Sequence, residues 1–117
     1  MAVSALILWH NPRCSKSRAA LNLLQEAGHE VSVRRYLEDP PTLSELQAVQ
    51  DMLGVSAIDM LRTGERVFRE SGLSKMSPEE ELLAAMVSHP ILIERPVALF
   101  GSQAVIGRPP ERVLGLV

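Results

Sequence analysis

Cysteine is scarce in this chain: Cys14 is the single one among 117 residues. No disulfide can close within it, so a stapled secreted scaffold is excluded. A zinc framework of cysteines is excluded too, and neither His29 nor His89 stands in a metal-binding spacing. Aromatic residues make up only 3%, which leaves no stacking platform for single-stranded nucleic acid. A net charge of −2 also argues against broad attraction to a phosphate backbone. The apolar run from Ala5 to Trp9 is too short to span a bilayer, and no basic residue precedes it as a signal peptide requires. The expectation is a cytoplasmic chain that binds neither membrane nor nucleic acid.

The composition is otherwise that of a folded globule, 46% hydrophobic and 22% charged, and the length suits a single domain over residues 1–117. Lysine is rare, two residues against ten arginines, and arginine is the side chain whose fork matches oxyanions.

Val3 to Trp9 is a short apolar run of the kind buried on both faces of a sheet. It passes through the loop His10-Asn11-Pro12-Arg13 to Cys14, after which the period becomes helical: Ala20, Leu21, Leu24 and Ala27 share a face, with Gly28 as the stop. Glu30 to Tyr36 alternates, Val31 and Val33 against Ser32 and Arg34, and reads as a parallel partner strand. Thr42 and Glu45 form a capping box for a helix reaching about Leu53, where Gly54 ends it. Ser56 and Asp59 repeat that signature for a shorter helix ending near Arg62. Residues 63–75 read as a turn with one more irregular helix. Ser77-Pro78-Glu79-Glu80 predicts a helix capped by Ser77, with Leu82, Leu83, Met86 and Val87 buried and Pro90 as its stop. Ile91–Ile93, Val97–Phe100 and Gln103–Ile106 are strand-like, the last two joined by a hairpin turn at Gly101-Ser102. A short terminal helix begins at Pro109-Pro110-Glu111. The order β-α-β, helical insertion, β-β-α is α/β and thioredoxin-like: a central mixed four-stranded sheet flanked by helices.

Cys14 is the last residue before the first helix, where unpaired N–H groups and the positive end of the helix dipole favour a thiolate. Arg13, Lys16 and Arg18 add positive charge, and His10 can approach across the loop, either tuning the thiolate or orienting the loop by a hydrogen bond. Position 17, where dithiol enzymes carry a second cysteine, is Ser17, so the second sulfur of any redox cycle must come from outside. A Cys-x5-Arg phosphate loop is ruled out because the sixth residue after Cys14 is Ala20.

The run His10-Asn11-Pro12-Arg13-Cys14-Ser15-Lys16-Ser17-Arg18 resembles the active-site loop of the glutaredoxin-coupled arsenate reductase family, which has a thioredoxin-like fold. Further similar blocks follow in family order at Tyr36–Pro41, Leu61-Arg62, His89–Pro96 and Ile106–Pro109. The resemblance implies that Cys14 is the nucleophile and that Arg62, Arg95 and Arg108 hold the oxyanion. It also implies arsenate as substrate, glutathione as co-substrate, glutaredoxin as the partner that resolves the mixed disulfide, no bound cofactor and no metal. It suggests a cis peptide bond at Pro96. Two other readings fit less of the chain. One is a glutathione-dependent thiol oxidoreductase with another substrate; the other is a redox-type transcriptional regulator binding RNA polymerase, which Ser17 disfavours because such regulators switch through Cys-x-x-Cys.

Overall fold

The computed structural model describes residues 5–117 and divides them into two compact units, one built from the chain up to Asp39 together with Arg95–Val117, the other from Pro40–Glu94. Val3 and Ser4, predicted to begin the first strand, lie outside the described residues.

The first unit is the sheet. Strands β1 (Leu6–Trp9), β2 (Val31–Arg34), β3 (Val97–Phe100) and β4 (Gln103–Ile106) lie in the order β2-β1-β3-β4. β1 is parallel to β2 and antiparallel to β3, and β3 is antiparallel to β4. This is the expected thioredoxin-like mixed sheet. The continuous apolar character of β1 follows from its place between two neighbours. Leu6 and Leu8 pack with Ala20, Leu24, Ala98 and Val113 in the unit's core.

Helix α1 (Ser15–Glu26) starts directly after Cys14. Its buried stripe is Ser17, Ala20 and Leu24, whereas Ala27 is the exposed C-cap, so the apolar phase begins earlier than predicted and includes a serine. Gly28 ends the turn at φ +89°, a backbone conformation only glycine adopts cheaply. The alternation expected in β2 does not produce an inner and an outer face. β2 is an edge strand in which Val33 is exposed, while the Arg34 guanidinium lies 5.7 Å from the ring centroid of the buried Trp9. At the other end of the unit, a 3-10 helix (Pro110–Leu116) replaces the predicted terminal α-helix and buries Val113.

The second unit is the helical insertion: α2 (Leu43–Leu53), a 3-10 turn (Ala57–Met60), α3 (Arg66–Glu70), α4 (Glu79–Ser88) and a second 3-10 turn (Pro90–Leu92). The capping box on α2 is complete. Thr42 Oγ1 accepts from the Glu45 amide at 3.2 Å, Glu45 Oε1 accepts from the Thr42 amide at 3.0 Å, and Gly54 closes the helix at φ +68°.

Three expectations need correction. Ser56 makes no cap bond, and the predicted helix is only a 3-10 turn whose first amide, that of Ala57, donates to Glu79 Oε2 at 2.8 Å. Ser77 does not cap α4: its Oγ accepts from the Ser74 amide at 2.9 Å, and Pro78 holds the N-cap position. Three glutamates in the first turn, Glu79 to Glu81, supply the favourable charge at that helix end instead. Ile91–Ile93 is not a strand, because Pro90 starts a 3-10 turn and only Ile93 pairs, in an isolated bridge with Leu61. No helix among the described residues is long and apolar enough to cross a membrane.

Candidate active site

Strand register decides which residues of the first unit meet. Trp9, at the end of β1, is paired with both Arg34 of β2 and Val97 of β3, and Val97 is paired with Ile106, the last residue of β4. The segments leaving β1 and β4 and the one entering β3 therefore lie at a single end of the sheet. These carry His10 to Cys14, Gly107-Arg108-Pro109 and Arg95-Pro96.

Cys14 occupies the N-cap of α1 with extended backbone angles, and its amide donates to Asn11 O at 3.0 Å, closing the loop into a turn. The sulfur is half-buried. Burial is the largest single influence on it and disfavours the thiolate, but it is outweighed by the Ser17 amide, the Arg95 guanidinium, the Lys16 amide and the Arg95 charge. The net result holds the Cys14 thiol below its ordinary range. The cation that matters is thus Arg95, reached across the sheet end. Of the local cations that the sequence suggested, Arg18 turns back to Pro12 O at 2.8 Å.

Arg95 precedes Pro96, and Arg108 precedes Pro109; both peptide bonds are cis. Nε and Nη1 of Arg95 are buried. Arg108 Nη1 donates to Arg95 O at 3.1 Å, so the second arginine sits on the backbone of the first. The approach depends on Gly107, whose amide donates to Pro96 O at 2.8 Å. A Cβ at that position would meet Pro96 Cγ at 2.8 Å and Val113 Cγ1 at 2.9 Å.

Arg62 belongs to the second unit. Its Nε pairs with Glu65 at 3.2 Å and its Nη1 with Glu94 at 3.1 Å, while its amide donates to Leu92 O at 2.7 Å. The structure therefore brings Cys14, Arg95 and Arg108 together within one unit and places Arg62 in the other, fixed by two carboxylates.

His10 is buried and points to Ser17, with Nδ1 at 2.6 Å from Oγ. The same Oγ accepts from the Asn11 amide at 3.1 Å, so one hydroxyl ties the imidazole to the loop backbone. Burial, then the charges of Arg35 and Arg18, hold the imidazole below its ordinary value, so it is neutral at pH 7. Of the two roles open to His10 in the sequence, this geometry describes the loop-orienting one. Ser17 and Asn11 are the residues that sequence reasoning missed. The available signal was the phase of Ser17, which lies three residues before Ala20 and seven before Leu24 on the buried stripe. Among the described residues no group of three histidine, cysteine or acidic side chains could hold a metal ion.

The chain as a whole has close counterparts among known proteins. An arsenate reductase of Neisseria meningitidis serogroup A is 45% identical over 91% of this chain and 92% of its own. The Escherichia coli protein YfgD, itself uncharacterised, is 46% identical over 94% of both chains. The solved structure of an arsenate reductase from Vibrio cholerae superimposes with a TM-score of 0.94 at 39% identity, covering 99% of this chain and all of that one. The ArsC family model matches residues 9–116, a span that contains Cys14 and all three arginines, and the chain belongs to the ArsC family.

Proposed function

We propose that this chain is an arsenate reductase whose nucleophile is the Cys14 thiolate and whose electrons come from glutathione, with a glutaredoxin completing the cycle. The observation that carries this reading is the junction of Cys14 with the buried Arg95 guanidinium at a helix N-terminus. A thiolate stabilised without a second cysteine is suited to attack an external electrophile rather than to close an internal disulfide. Family membership and relatives named as arsenate reductases support arsenate as that electrophile.

Arsenate, like the phosphate it imitates, carries about two negative charges at neutral pH. An anionic nucleophile approaches it only where cations neutralise it, and forked guanidinium donors do so with little reorganisation. Arg95 and Arg108 are assigned that task from their placement. Arg62 is assigned it on the family resemblance alone. The Cys14 sulfur displaces one arsenate oxygen, which leaves as water, and forms a sulfur–arsenic bond. Glutathione thiolate then attacks the Cys14 sulfur, and the bond to arsenic breaks with its electron pair remaining on arsenic. Arsenate is thereby reduced to arsenite, and the two sulfurs are left as a mixed disulfide that a glutaredoxin thiol reduces. His10 stays neutral and, through Ser17, keeps the loop in the shape that presents the sulfur.

The direct test is arsenite formation in the presence of arsenate, glutathione and glutaredoxin, comparing the wild-type protein with R62A, R95A and R108A. Turnover is expected in the wild type, with kcat/KM falling in each variant by about 1.5–3 kcal/mol, the cost of losing a charge-assisted hydrogen bond. Absence of arsenite from the wild-type reaction contradicts the activity, and unchanged kcat/KM in all three variants contradicts the arginine assignment.

A further inference from the structure

A pocket of about 670 Å³ opens beside His10 in the first unit. Leu21 of α1 and Val33 of β2 give it an apolar wall, and Arg34, Arg35, Glu38 and Asp39 line the rest. The size is within the range of roughly 300–1,000 Å³ typical of small-molecule sites. Its charges are partly paired by the local fold. Arg34 is already engaged, donating through Nε to Asp39 O at 3.0 Å and lying 3.4 Å from the Asp39 carboxylate. Arg35 is exposed, and among the described residues it has no carboxylate partner. Its carbonyl accepts from the Glu38 and Asp39 amides at 3.0 and 2.9 Å, and this turn folds the two acids back beside it. The pocket therefore offers an uncommitted cation, the exposed Glu38 beside it and an apolar wall between the sheet edge and α1.

His10, on the pocket wall, begins the loop that carries Cys14 four residues later. Leu21 follows Cys14 by seven residues, which puts the two on the same side of α1 about 10 Å apart along its axis.

We propose that this pocket docks the external thiol as a zwitterionic peptide, with Arg35 binding a terminal carboxylate and Glu38 receiving the α-ammonium group. This rests on the reading that turnover consumes a glutathione-type thiol, and it adds where that thiol binds. A neutral thiol such as 2-mercaptoethanol has neither charged group and gains nothing from the pocket.

The test has two arms. In the first, S-methylglutathione, which has no thiol and cannot react, is titrated into the isotopically labelled wild-type protein. Amide shifts are expected at Leu21, Val33, Arg35 and Glu38, with affinity falling about five- to tenfold in R35A and again in E38Q. In the second, steady-state turnover of R35A should show the KM for glutathione raised by a similar factor, the KM for arsenate unchanged and the rate with 2-mercaptoethanol unchanged. Shifts confined to other residues, equal affinity in wild type and R35A, or an unaltered KM for glutathione would overturn the assignment. If the wild type reduces no arsenate, the functional reading fails, while the first arm still decides the pocket.

Discussion

The chemistry of a lone cysteine is decided by its immediate surroundings. At Cys14, burial opposes ionisation, and two backbone amides together with Arg95 reverse that opposition. Alkylation by iodoacetamide should therefore titrate below the value of about 8.5 expected of a free cysteine. Removing the guanidinium in R95A should move the titration upward, toward that value. A wild-type profile that follows an ordinary thiol contradicts the activated sulfur. His10 gives a second prediction, on stability. Its folded-state pKa is depressed from 6.5, so the unfolded chain takes up its proton first as pH falls. The stability that neutral His10 contributes is fully present above 6.5 and is lost as the pH drops below it toward the folded-state value. Melting temperatures measured from neutral to mildly acidic pH should fall more steeply for the wild type than for H10Q. Parallel curves would show that the buried imidazole carries no such linkage.

At the scale of elements, local signals were legible where the chain satisfies them locally. The Thr42–Glu45 box, the Gly28 and Gly54 stops and the Gly101-Ser102 hairpin all appear as read. Signals failed where another hydrogen bond or a neighbouring proline prevailed. Ser56 makes no cap bond, and the Ala57 amide beside it goes to Glu79, remote in sequence, while the Ser77 hydroxyl is committed to the Ser74 amide. Pro90 turns Ile91-Leu92 into a 3-10 helix although their composition favours a strand. The Gly107 turn was legible as a sequence block, but its steric requirement was not, since Pro96 and Val113 meet it only after β3, β4 and the terminal 3-10 helix have packed. Gly107→Ala should destabilise the fold by about 1–3 kcal/mol, the usual cost of forcing a methyl group into a filled site. Chemical denaturation measures this directly. An unchanged midpoint would mean that Pro96 and Val113 give way without cost.

Over the whole molecule, the mixed sheet was readable because β1's unbroken apolar run, the βαβ order and the final hairpin leave few topologies that obey chain connectivity. The meeting of Cys14 with Arg95 was not readable from periodicity. It depends on antiparallel pairing between β1 and β3, which the helical insertion separates in sequence. Only the family resemblance pointed to it. Ser17 shows the complementary case: its lack of sulfur stood out in the sequence, whereas its positive role, holding His10 and Asn11, emerged only from packing. Both bear on the central claim, that one thiolate attacks the substrate and a thiol from outside completes the reduction. Intact-mass spectrometry of protein quenched during turnover with arsenate and glutathione, but without glutaredoxin, tests that claim most directly. A glutathione-sized mass increase is expected on the wild type and none on C14S, which should also be inactive because an alcohol without a neighbouring base is a poor nucleophile. Arsenite production by C14S, or sustained turnover by the wild type with no added thiol, would contradict it.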